Sequence, residues 1–129
     1  MSLKHTWTTS IKNDAGAAVV SESEVVTGNQ EDNFNDVAAA SSTKHISVGS
    51  VVKANLQSFY VFSDKNVTLK INSSSTPDQT VSLIANRAYA WKTTDPGSNP
   101  LTPGTITDLY FVNAGGTDAN IKGGFLANN

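Results

Sequence analysis

The chain has 129 residues, with 9 Lys and Arg against 11 Asp and Glu, two histidines and no cysteine. That length supports one domain, residues 1–129, and a net charge of −2 argues against nucleic acid, whose binding draws on phosphate neutralisation by a basic excess. The lack of cysteine excludes disulfides, thiolate-held zinc, iron–sulfur clusters and thiol nucleophiles, and no run of 18 apolar residues offers a membrane-spanning helix. The first residues lack the apolar core of a secretory signal, so cytoplasmic synthesis is expected.

Along the chain the dominant period is two. His5 to Lys12 sets Trp7 and Ile11 on one face of an extended segment, and Asn13-Asp14-Ala15-Gly16 reads as a turn. Ala17 to Thr27 predicts a Val-rich strand, with Glu22 and Glu24 sharing one wet face. Gly28 to Asp36 is polar and reads as a loop, and Val37 to Ser42 fits either one helical turn or a small-residue strand. Lys44 to Val48 alternates again, with Ile46 and Val48 inward. Leu56 to Phe62 is a nearly continuous aromatic and aliphatic run that suits a central strand. After a turn at Ser63–Asn66, Val67 to Asn72 buries Val67, Leu69 and Ile71. Further strands follow at Thr80–Ala85 and Ala88–Trp91. Lys92 to Gly104 holds three of the four prolines and is the longest irregular stretch. Thr105–Asn113 and Ala119–Leu126 complete the set, with Gly115-Gly116 as a turn and Gly123-Gly124 as hairpin and bulge glycines.

About nine or ten short strands at spacings of roughly 8–12 residues indicate an all-β protein. The expected architecture is a single antiparallel β-sandwich, jelly-roll-like, because no segment provides the helical crossovers a parallel sheet needs.

Chemistry-bearing patterns are sparse. His5 and His45 lie forty residues apart, and neither a metal nor another cofactor is expected. Glu31-Asp32-Asn33-Phe34-Asn35-Asp36 carries oxygen ligands of the kind calcium takes, but Phe34 interrupts the calcium-loop pattern, so a solvated loop is the reading. The remaining acids, Asp14, Asp64, Asp78, Asp95, Asp108 and Asp118, mostly fall at turn positions where Asp side chains cap backbone amides. No nucleophile elbow or phosphate-binding loop occurs, and Arg87 is the single arginine. No catalytic residue is assigned and the chain reads as a non-enzyme. Tyr89 and Trp91, two apart on a short strand, could stack sugar rings as an exposed platform with help from Trp7; the plainer alternative makes Trp91 a core residue. The remaining surface is dominated by short side chains: Ser, Thr, Asn and Gly make up 51 residues. Such side chains lose little entropy when immobilised, which suits rigid protein–protein packing.

The order of elements from Leu56-Gln57-Ser58-Phe59-Tyr60-Val61-Phe62 through the Ser63-Asp64 turn, Val67–Asn72, Val81–Asn86, Trp91, Asn99-Pro100-Leu101-Thr102 and Thr105–Tyr110 resembles small β-sandwich virion structural proteins of tailed bacteriophages, including those that decorate or cement capsids. The likeness covers residues 56–126. It implies a structural subunit located in the virion, whose partner is the major capsid protein or another virion protein, and a homo-oligomer, with a trimer favoured. A carbohydrate-binding or adhesive module is the alternative. Expected protein-contact residues are Met1, Leu3 and Trp7 in an N-terminal arm spanning residues 1–7, and Pro96, Asn99, Pro100 and Leu101 in the long loop.

Overall fold

The computed structural model of the protein describes residues 3–16 and 18–129. Ten strands occur among the described residues: β1 (Leu3–Lys12), β2 (Ala18–Gly28), β3 (Gln30–Ala38), β4 (Ser42–Val52), β5 (Leu56–Ser63), β6 (Val67–Ile71), β7 (Gln79–Leu83), β8 (Tyr89–Lys92), β9 (Thr105–Asn113) and β10 (Ala119–Ala127). They form two four-stranded sheets, ordered β3-β10-β5-β8 and β4-β9-β6-β7, and a separate β1-β2 hairpin. All pairings are antiparallel.

Strands pair as β3 with β10, β4 with β9, β5 with β8 and β6 with β7. The chain from β3 onward is thus one long hairpin, closed at β6–β7 and wound into two facing sheets. That is the jelly-roll course expected from the sequence. No helix among the described residues is long and apolar enough to cross a membrane.

Alternation builds the core. On β6, Val67, Leu69 and Ile71 are buried while Thr68 and Lys70 between them stay partly exposed. Phe59, Phe111 and Phe125 are all but fully buried between the sheets, with the Phe59 and Phe125 rings stacked at 5.8 Å. Removing each such side chain from water stabilises the fold by about 2 kcal/mol. Asn113 is buried as well. Its Nδ2 donates to Ala38 O at 3.0 Å and Thr117 O at 2.8 Å, and its Oδ1 accepts from Gly115 N at 3.0 Å. One side chain thereby ties the β9–β10 turn to the end of β3, at little cost, because its amide is satisfied.

Three expectations need correction. The polar stretch Gly28–Asp36 is largely strand β3, not a loop. β3 is an edge strand, bonded only to β10, so its outward side chains face water and the sequence loses its apolar alternation; Phe34 alone points a large ring inward, 5.5 Å from Phe111. Gly123 and Gly124 are regular members of β10, and the ladder shifts only later, between Leu126 and Ala127. A Cβ on Gly123 would lie 2.5 Å from the Phe34 ring and 2.7 Å from Tyr60 O, so close packing demands glycine there. Asp108 lies within β9 rather than at a turn, bonded to His45 and Thr107.

Candidate functional site

Register places Glu31, Leu126, Ser58 and Lys92 in one row across the outer face of the β3-β10-β5-β8 sheet. The β1-β2 hairpin crosses this row. Trp7 Nε1 donates to Ser58 Oγ at 2.9 Å, and His5 Nδ1 meets the same oxygen at 2.8 Å. The His5 ring meets Tyr60 edge-on at 5.5 Å. Lys92 Nζ stands 4.9 Å over the Trp7 ring and 3.8 Å from Glu24 of β2, and it bonds Asp95 at 2.5 Å. That hydrogen bond raises the Lys92 pKa above the ordinary lysine value and holds Asp95 below the ordinary carboxylate value. Gly28 at the end of β2 passes so close to Ala127 O that a Cβ would lie 2.5 Å away. The hairpin base is therefore a fitted part of the body.

Ser58, His5 and Glu31 come nearest to a catalytic arrangement. Trp7 Nε1 and His5 Nδ1 both meet Ser58 Oγ, and His5 Nε2 lies 3.6 Å from Glu31 Oε1. Yet Ser58 is fully buried, and its oxygen already serves two partners. A nucleophile must reach a carbonyl at close range, and the hairpin covers this serine; what the contacts do is pin the hairpin to the sheet. The surface pair His45–Asp108 is open to solvent, with His45 Nε2 2.7 Å from Asp108 Oδ1 and its ring stacked on Tyr110 at 4.5 Å. The His45 and Thr107 hydrogen bonds lower the Asp108 pKa. Among the described residues no group of three His, Asp or Glu is placed to hold a metal. Of the acids in Glu31–Asp36, Glu31 lies on one face of β3, while Asp32 and Asp36 share the other face four positions, roughly 13 Å, apart.

Beyond Trp7 the hairpin changes character. Ser10 to Gly16 and Val20 to Ser23 are exposed, and Thr9 is only partly covered. Ile11 and Val20 face each other across the ribbon and are 54% and 39% exposed. They share a face with Glu22, opposite Thr9, and that face is the continuation of the one that buries Trp7. Five residues from Thr8 to Lys12 carry this tip roughly 16 Å past the base. Beside the base, the edge of β1 that does not pair with β2 has no strand partner among the described residues. It overlooks a groove of about 540 Å³ whose floor is Tyr60, Phe62, Ala88 and Ala90 and whose margins carry Lys4 and Lys122.

The expected site residues do not converge. Met1 lies outside the described residues. Leu3 and Trp7 are half-buried parts of the hairpin base and do not form a free arm; the projecting tip takes that position instead. Pro96 and Pro100 are exposed and Asn99 is half-buried, but Leu101 is 2% exposed and belongs to the core, so it cannot be a surface contact. Tyr89 and Trp91 share a face, as expected, but it is the inner face, packed against the core. The Tyr89 hydroxyl accepts from Gln79, and Trp91 Nε1 donates to Gly97 O at 3.0 Å. Trp91 also borders a groove of about 440 Å³ with Gln57, Thr93 and Asn99. Sequence reasoning missed Ser58, the one small polar residue in an aromatic run, which is the available signal that something crosses the strand there. The chain matches no family model, no curated protein and no solved structure.

Proposed function

We propose that the protein is a non-enzymatic structural subunit of a virion, of the capsid decoration or cement type, working through protein–protein contacts. The observation that carries this reading is the hairpin. Its base is fixed to a rigid jelly roll, while its tip holds Ile11 and Val20 out in water. A two-stranded ribbon exposed on both faces is marginal by itself, so a tip of this kind earns its stability from a neighbour. Support also comes from the resemblance over residues 56–126 and from a surface of short side chains. The mechanism is passive: buried area between subunits, about 1,600 Å² for a specific contact, is multiplied by copy number. The exposed prolines Pro96 and Pro100 of the long loop are a second contact element, directed to the major capsid protein or another virion protein.

The test is density-gradient fractionation of the source lysate with peptides of this chain tracked by mass spectrometry. Enrichment in the particle band at a stoichiometry comparable to the major capsid protein is the expected result. A chain confined to the soluble fraction would overturn the reading. The carbohydrate-binding alternative would then rest on the Trp91, Gln57 and Asn99 groove, with glycan binding as its assay.

A further inference from the structure

We infer that the groove beside β1 receives the hairpin tip of a second copy of this chain, in a reciprocal two-fold clasp made by antiparallel pairing of the two free β1 edges. The inference deepens the proposed function by naming a partner for the tip, but it concerns the purified chain alone and is tested without particles.

Three features fit together. First, the free edge of β1 presents backbone donors and acceptors that a strand satisfies best, and an open edge is a template for another chain. Second, a two-fold axis perpendicular to the ribbon sets the second β1 antiparallel to the first and keeps its Trp7–Ile11 face turned toward the first body. The incoming tip then enters across β8 and runs over the groove floor. Ile11 and Val20 of the second copy reach Tyr60 and Phe62, so apolar surface exposed on one copy covers half-buried aromatic surface on the other. Third, the charges are complementary in sum: the tip carries Asp14 and Glu22 against Lys12, one net negative charge, and the groove margins carry Lys4 and Lys122. The product is a continuous four-stranded ribbon, β2-β1-β1-β2, laid over two jelly rolls. Because the same patch serves both copies, the contact is isologous and closes at two.

The experiment is sedimentation of the purified chain from micromolar to submillimolar concentration, alongside Ile11→Glu. The expected result is a concentration-dependent dimer for the native chain and a monomer for the variant, with circular dichroism and the melting of the dilute chain unchanged because Ile11 is exposed in the single chain. Cysteine placement supplies an independent readout in a chain that has none. Thr6→Cys, Thr8→Cys and Ser10→Cys, oxidised singly and as mixed pairs of variants, sample residues near the axis, where opposed Cα atoms lie about 4.5–5.5 Å apart, within disulfide reach. At least one of them should form a linked dimer on mild oxidation, while Ser74→Cys, in a distant loop, stays monomeric. A native chain that remains monomeric, a trimer indifferent to Ile11→Glu, or a dimer that none of the three cysteines links would each overturn the clasp. Failure here with particle enrichment intact would leave the virion reading standing; the reverse result would leave the clasp standing.

Discussion

The two halves of the β1-β2 hairpin share the same strands and the same ladder, yet they relate to the body in opposite ways. At the base, Trp7, His5 and Glu24 meet Ser58, Tyr60 and Lys92 through hydrogen bonds, ring contacts and an ion pair. At the tip, Ile11 and Val20 stay largely open to water, and Glu22 is exposed within charge range of Lys92. The face is continuous, so the difference is not one of local composition: it arises where the sheet beneath the ribbon ends. A covered half next to an uncovered half of one face is what a contact element looks like before its partner arrives.

That contrast can be broken at several points, and the expected effects fall in order. Phe111→Ala attacks the body itself: Phe111 is fully buried, so the substitution should cost about 3–5 kcal/mol in urea unfolding. Gly123→Ala comes next, at about 1–3 kcal/mol, because the added methyl collides with the Phe34 ring and with Tyr60 O. Ser58→Ala cuts the pin beneath the base and strands the Trp7 and His5 ring nitrogens. We expect a loss of about 2 kcal/mol, accompanied by faster hydrogen exchange in residues 3–7 than in β6.

Acid should weaken the same contrast from the side of the base. Asp95 titrates below its ordinary value of 3.8 because Lys92 bonds it, so folding favours the ionised form. Its stabilising share is fully present above that ordinary value and is lost as pH falls from about 4 toward the lowered value. The Lys92 share has the opposite sense: it is present below the ordinary lysine value of 10.5 and disappears only as pH climbs through the raised one. In a Trp91→Phe background, Trp7 fluorescence should shift to the red on acidification in this range, and Asp95→Asn should flatten that response. The smallest effect belongs to the tip, where Ile11→Ala should change unfolding stability of the dilute monomer by less than about 0.5 kcal/mol.

Much of the fold was legible because burial alternates along most strands: Val67, Leu69 and Ile71, or Phe59 and Val61, advertise one inward face each. β3 was hidden because an edge strand with water on one side needs only Phe34 as an anchor. Gly123 and Gly124 misled because a glycine required by close packing looks the same in sequence as one required by a turn. The candidate site was less legible still. Trp7 and Ile11 could be placed on one face, but what lies under each depends on Ser58 and Lys92, some fifty and eighty-five positions away, and on the edge of a sheet that no local pattern draws. The platform expected from Tyr89 and Trp91 met a related obstacle: period two fixes that they share a face, not which face points outward.

The most direct test of the hairpin as a contact between copies of this chain is amide hydrogen exchange at two concentrations of the purified chain, one dilute and one near the solubility limit. The account predicts that β1 amides of the tip, from Thr8 to Lys12, exchange quickly when dilute and become protected when concentrated, while β5, β6 and β9 are unchanged. Exchange in the tip that is as slow as the body at both concentrations, or fast at both, would contradict it.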